Sequence, residues 1–250
     1  MNTLRENRVS TLICLLSFGD DAGDRSALQL AKLFGTSCRA LLIEDRDLAQ
    51  SPKLDQTSDR LVARRRRELT YLGREMGLTV SVDSSDLSPG MQQIRAQPDK
   101  AMMILMQPAH PLSRQTHTFQ AIQAAAAAAP ATTLYAPPLS GLKSGPILVL
   151  ARRDDSPGLT LAKQIAKDTN RPLEVARLDL GPQPAITSLV AAVALQQIVD
   201  VPCLIIVSHD ELMSAPSVYS SLAARLDTPV LVAGGESSHS SDPDTPGRVS

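Results

Sequence analysis

The 250-residue sequence predicts an α/β fold of two tandem, open, parallel-sheet domains of Rossmann-like type, the second shortened by about one strand–helix unit. The first observation behind this prediction is an internal repeat. An apolar strand, two aspartates, a helix containing Leu-x-Leu-Ala-Lys and a second apolar strand occur twice, starting near Thr11 and Pro146. The second observation is that the strands are almost continuously apolar, which is typical of parallel strands covered on both faces.

In the first half, apolar runs alternate with helical spacing, so strands and helices are expected to alternate as well. A turn at 20–23 leads into the first helix, which Asp24 or Ser26 is expected to cap and Gly35 to end. The segment 48–59 is interpreted as a loop. The remaining predicted elements are strand 10–17, strand 38–43, helix 60–76, strand 78–82, helix 91–96, strand 101–106, helix 115–128 and strand 132–135.

The second half repeats this order with one strand–helix unit fewer, the missing unit corresponding to segment 60–82. Its predicted strands are 146–151, 173–178, 202–207 and 229–233, and its predicted helices are 157–168, 185–199 and 216–226. The predicted domains are 10–136 and 146–235, joined by a linker rich in proline and glycine at 137–145. Residues 1–9 are predicted to be flexible and 236–250 to be a disordered tail.

Composition narrows the function classes. Hydrophobic residues make up 43% of the chain but aromatic residues only 2%, which argues against a surface that stacks nucleic-acid bases. The formal net charge of −1 provides no global attraction to nucleic acid or to an anionic membrane. Neither partner is therefore predicted.

Cys14, Cys38 and Cys203 are isolated, and they are interpreted as buried thiols in a reducing compartment. The apolar stretch that ends at Ser17 is too short for a secretory signal or a membrane span. Both features favour a cytoplasmic protein.

Three motifs together resemble the universal stress protein family: an aspartate after the first strand, a helix with Ala-Leu-x-x-Ala, and a closing Thr-Pro-Val-Leu-Val strand. They lie at 20–21, 27–31 and 228–232. The resemblance covers 10–136 nearly completely and 146–233 with one unit missing. It implies a tandem protein in which the two halves pair as the subunits of a family dimer do, as an intramolecular pseudo-dimer. The alternative is a homodimer, which an exposed edge strand in the shortened second half would favour.

ATP-binding members of that family carry a glycine-rich phosphate loop after the fourth strand, with the pattern Gly-x-x-Gly, nine residues, and Gly-Ser or Gly-Thr. Here no glycine occurs between Gly90 and Gly141, or between Gly181 and Gly234. Proline also removes backbone donors at Pro108 and Pro111. The sequence therefore predicts that both phosphate loops are lost, and no cofactor is expected.

Two acidic pairs, Asp20-Asp21 and Asp154-Asp155, follow the first strand of each half, and a histidine, His110 or His209, follows each fourth strand. These positions belong to the carboxyl edge of the sheet, where open α/β sheets hold ligands. One interpretation is a ligand site, because the family places an aspartate near the adenosine here. The alternative is that the aspartates form turns and start helices, and that the histidines are exposed loop residues.

The densest charge run is Arg64 to Arg67, flanked by Arg60 and Arg74 on one predicted helix. Four successive helical residues point around the whole circumference, so two or three of them at most share a face. The alternatives are a solvated helix surface and a contact with an acidic partner or phosphate, for which the candidates are Arg60, Arg64, Arg67 and Arg74. A patch of this size is too small for strong nucleic-acid binding at physiological salt.

The sequence lacks the motifs of a nucleophile elbow, a P-loop, a dinucleotide-binding turn, or metal-binding His and Cys spacing. The leading hypothesis is a non-catalytic regulatory protein that binds a protein partner. The second is a small-molecule or adenine-nucleotide binder at the carboxyl edge of the first domain. An enzymatic reading needs His and Asp to place a hydrolytic water there.

Overall fold

The computed structural model describes residues 11–17, 23–44, 52–137, 143–177, 201–208 and 216–233. The strands are β1 Thr11–Ser17, β2 Ser37–Glu44, β3 Thr79–Asp86, β4 Ala101–Met106, β5 Thr132–Ala136, β6 Ile147–Ala151, β7 Leu173–Arg177, β8 Leu204–Ser208 and β9 Val230–Ala233. The helices are α1 Asp24–Phe34, α2 Pro52–Met76, α3 Leu87–Arg95, α4 His117–Ala127, α5 Pro157–Thr169 and α6 Pro216–Leu226. A 3₁₀ helix, Pro111–Gln115, precedes α4.

Within these residues nine strands form one sheet in the order β3-β2-β1-β4-β5-β9-β8-β6-β7. Neighbouring strands are parallel inside each half. The two halves meet where β5 pairs with β9 in antiparallel orientation. The α/β class and the mostly parallel sheet agree with the prediction. The predicted domain boundaries stay a prediction.

The core lies in two layers, one on each face of the sheet. Helices α1, α2 and α5 cover one face, and α3, α4 and α6 cover the other. Strands β4, β6, β8 and β9 are buried along their whole length. This explains their continuous apolar sequences, because both faces of each strand contact a helix layer.

Some predicted boundaries are wrong. Helix α2 begins at Pro52, so residues 52–59 are helical rather than a loop. Proline is tolerated in the first helical turn, where its missing N–H has no partner in any case. The N-cap of α1 is Gly23, with no side-chain cap, rather than Asp24 or Ser26. The predicted helix at 185–199 lies outside the described residues.

The halves also contact each other through side chains on the face covered by α4 and α6. The rings of Tyr135 on β5 and Tyr219 on α6 lie 5.9 Å apart between centroids. Gln107 donates its side-chain amide to the carbonyl of Ser220 at 2.8 Å, and the Gln123 amide donates to the carbonyl of Pro216 at 3.0 Å. Each amide thereby satisfies a backbone carbonyl across the junction.

Alkaline pH is expected to destabilise this junction. Burial raises the pKa of the Tyr135 hydroxyl, and the neighbouring Tyr219 raises it further. Because the unfolded tyrosine releases its proton near pH 10 and the folded one holds it, stability should fall above that pH by up to about 1.4 kcal/mol per pH unit. Urea unfolding of wild type and Tyr135→Phe between about pH 8 and pH 11 checks this. The variant should show a shallower fall, and identical slopes would contradict the expectation.

Candidate functional site

The loop after β4 carries His110 at the carboxyl edge of the first half. The imidazole is exposed, and its Nδ1 accepts the backbone N–H of Leu112 at 3.3 Å, which caps the 3₁₀ helix. The side chain of Arg114 donates to the carbonyl of Pro108 at 3.0 Å. The His110 side chain therefore stabilises the conformation of its own loop. Asp20 and Asp21 lie outside the described residues, so their proximity to His110 stays a prediction.

At the carboxyl edge of the second half, Asp154 and Asp155 are almost fully solvated, with 86% and 82% of their side chains exposed. Asp154 forms an ion pair with Arg177 at the end of β7. Asp155 lies 3.8 Å from Arg153. Exposed pairs of this kind contribute little to stability. His209 lies outside the described residues.

Beneath these aspartates, two serines close the start of α5. The Ser156 and Ser208 hydroxyls lie 2.9 Å apart and are fully buried. Ser208 Oγ accepts the backbone N–H of Gly158 at 2.8 Å, and Ser156 Oγ accepts that of Leu159 at 3.3 Å. A Cβ on Gly158 would lie 2.7 Å from Ser208 Oγ, so the backbone has come as close as glycine permits. These two N–H groups at the N-terminus of α5 therefore already have acceptors within the protein.

The first half contains a buried ion pair that sequence reasoning missed. Arg65 on α2 donates to the carboxylate of Asp24, the first residue of α1, at 2.7 Å. Only 8% and 6% of the two side chains are exposed. The helical spacing in the sequence indicates this burial. Arg65 precedes Leu69, Leu72 and Met76 at steps of four, three and four residues, which puts it on the apolar side of α2. The Arg64 to Arg67 run is thus not uniformly a surface feature.

The four arginines predicted to contact a partner are all exposed on α2: Arg60, Arg64, Arg67 and Arg74. Arg64 donates to Glu68, one helical turn later, at 2.7 Å. These arginines lie on α2 in the first half, whereas the buried serines and the exposed aspartates described above lie in the second half. Two separate features result, a closed carboxyl edge and an exposed basic helix.

A cavity of about 630 Å³ lies at the amino ends of the strands, away from the predicted edge. Its lining includes Leu12, Phe34 and Met102 from the first half, and Leu161 and Asp168 on α5. One cysteine, Cys38, also lines it, and a hydrogen bond from Cys14 lowers the pKa of the Cys38 thiol. The cavity does not coincide with any of the predicted site residues.

The three cysteines are free and buried, as predicted. Within the described part of the chain, no three His, Cys, Asp or Glu side chains are grouped so that they could hold a metal ion. No helix among the described residues is long and apolar enough to cross a membrane.

No family model matches the sequence. No curated protein matches it either. Solved structures do match. A universal stress protein from Archaeoglobus fulgidus aligns over 92% of this chain and 98% of its own, with a TM-score of 0.63 and 9% identity.

A second match is a putative universal stress protein from Pseudomonas aeruginosa, with a TM-score of 0.52, 15% identity, and coverage of 90% of this chain and 93% of that one. A third is a functionally unknown protein from the same species, with a TM-score of 0.50, 16% identity, and coverage of 90% and 92%. Identities this low carry information on fold rather than activity. The chain therefore has the fold of the universal stress proteins.

Proposed function

We propose that this protein is a cytoplasmic, non-catalytic member of the universal stress proteins, built of two tandem domains, which regulates a process by binding a protein partner. In this proposal the second domain has lost one strand–helix unit, and both domains have lost the glycine-rich loops that bind ATP. The continuous sheet supports the tandem arrangement, because β9 and β5 occupy equivalent positions in the two halves.

The single observation that carries the proposal is the closed start of α5. A helix N-terminus binds a phosphate through its free backbone N–H groups. Here the N–H groups of Gly158 and Leu159 donate to serine hydroxyls. Because the two serines are buried, a phosphate reaches these donors only if the hydroxyls are displaced.

The loop after β4 supports the same conclusion in the first half. Backbone N–H groups at Gln107, Leu112 and Ser113 already have acceptors, namely the Ala136 carbonyl, the His110 imidazole and the His110 carbonyl. Proline at Pro108 and Pro111 removes two further donors. A phosphate cradle of the usual kind needs several converging N–H groups, and this loop has few to offer.

The absence of catalysis is proposed from the same geometry. A serine nucleophile requires access to substrate and an adjacent base, whereas Ser156 and Ser208 are buried and bond to each other. His110 Nδ1 is already engaged by a backbone N–H. Neither group is placed to activate a water or a hydroxyl.

Thermal unfolding with millimolar ATP, ADP, AMP and cyclic nucleotides tests the loss of nucleotide binding. A nucleotide at about 100 times its dissociation constant adds about 2.7 kcal/mol of stability, which is roughly 5–10 °C in Tm for a chain of this size. We expect no shift. A rise specific to one nucleotide would contradict the proposal, and its loss in Asp21→Ala without a change in the unliganded Tm would place the site at the first carboxyl edge.

A further inference from the structure

The exposed side of α2 carries a regular stripe of side chains. Its members follow one another at steps of four, three, four and three residues, and all are exposed: Arg60, Arg64, Arg67, Tyr71 and Arg74. Tyr71, near the carboxyl end of α2, is a large side chain that is 61% exposed. The opposite side of α2 contains the buried or half-buried Val62, Arg65, Leu69, Leu72 and Met76. The helix is thus amphipathic, and its exposed side carries a basic stripe.

The stripe is long and narrow. It covers 14 helical steps, or about 21 Å along the helix axis. Glu68 and Glu75 border it on one side, and each is held by an arginine, Arg64 at 2.7 Å and Arg25 at 3.5 Å. The neighbouring Glu75 carboxylate raises the pKa of the Tyr71 hydroxyl. Within the described side chains, Arg67 and Arg74 form no ion pair.

We propose that the basic stripe of α2 docks an acidic amphipathic helix of the partner protein, lying lengthwise along α2; this deepens the proposed function and rests on it. Alternating steps of three and four residues are the spacing at which one helix meets another along a seam. Glutamates at the same spacing on the partner would face the guanidinium groups. An apolar partner residue would pack on the Tyr71 ring, since tyrosine and arginine are the residues enriched at the centres of interfaces.

A helix fits the stripe better than nucleic acid or a membrane does. A broad polyanion lying over α2 would also meet the carboxylates of Glu68 and Glu75, whereas a partner helix contacts the stripe along a single seam. The formal net charge of −1 adds no long-range attraction to a polyanion. Acidic side chains confined to one helical seam match the stripe in width and length and carry the opposite charge.

The test uses the 250-residue protein and a synthetic helical peptide with glutamates at three-four spacing and one leucine at the position that faces Tyr71. Fluorescence anisotropy measures its dissociation constant beside that of a peptide of the same composition whose glutamates are spread around the helix. We expect the patterned peptide to bind roughly 10-fold more tightly, and to weaken as salt is raised. Equal binding of the two peptides would overturn the proposal.

A matched pair of variants then locates the contact. Arg60→Gln/Arg67→Gln removes two charges from the stripe. Arg66→Gln/Arg95→Gln removes two exposed charges outside it. The stripe variant should weaken peptide binding roughly 10-fold and the control variant less than about 2-fold. Both should keep the wild-type Tm, because all four side chains are exposed. Equal weakening in both would show a general charge effect and overturn the proposal.

Three further outcomes bear on this proposal, and the last two separate it from the proposed function. Preferential binding of a DNA duplex or of vesicles containing phosphatidylserine, lost in the stripe variant, would overturn the choice of an acidic helix. Absence of peptide binding together with an unshifted Tm in nucleotide would overturn the stripe and leave the loss of nucleotide binding standing. Peptide binding together with a nucleotide shift would support the stripe and overturn the nucleotide-independent function.

Discussion

Arg65→Ala is expected to lower the free energy of unfolding by about 3–5 kcal/mol, because it removes one member of a buried ion pair. Asp24 is 4% exposed at the first turn of α1, and Arg65 reaches it from α2. The substitution also removes the buried aliphatic stem of Arg65. Urea unfolding followed by circular dichroism measures the change.

The neighbouring arginine is the control. Arg64 forms an exposed pair with Glu68 on the same helix, so Arg64→Ala should cost no more than about 0.5 kcal/mol. The double variant Asp24→Leu/Arg65→Met removes both charges and should recover most of the loss, since a buried pair replaced by apolar side chains is often neutral. Equal costs for the two single alanine variants would show that the buried pair does not have the role described.

Tyr219→Ala is expected to cost about 3–5 kcal/mol, as large-to-small substitutions of buried aromatic residues do. Tyr219 is 1% exposed and packs against Tyr135 from the other half of the sheet. The cavity would open at the junction where β5 pairs with β9. Because the two halves share this sheet, wild type should unfold in a single transition and the variant should unfold at lower urea.

The matched control for this substitution is Tyr71→Ala. That ring is 61% exposed on α2, so the substitution should change stability by no more than about 0.5 kcal/mol. Two separate transitions in wild type, or a Tyr219→Ala variant as stable as Tyr71→Ala, would show that the junction does not couple the halves.

The alternation of strands and helices was predictable because it depends on local spacing. Continuous apolar runs such as Ala101–Met106 predict strands buried on both faces, and the structure confirms that β4 is fully buried. The boundaries that went wrong are places where local signals compete. In the sequence, Pro52 is typical of a loop. In the structure it begins α2, and the apolar side of α2 packs against α1 and β3.

The side-chain contacts at the carboxyl edge of the sheet were less predictable from the sequence. The sequence placed His110 at an edge of the sheet, but whether it contacts a ligand or its own loop depends on the path of the backbone, and here it accepts the N–H of Leu112. Nothing local to Ser156 or Ser208 indicates that they meet, since 52 residues separate them. Pairs of this kind arise only when two distant segments are brought to the same edge.

Sequence alone determined the α/β class, the alternation of strands and helices, and the absence of glycine between Gly90 and Gly141 and between Gly181 and Gly234, because apolar spacing and residue type depend on no distant contact. Tertiary structure decided which arginine of the run is buried against Asp24, how Ser208 closes the start of α5, and that β5 and β9 join the halves into one sheet. The physical reason is that hydrogen bonds and ion pairs depend on which distant groups meet. Hydrophobic periodicity depends only on neighbours along the chain.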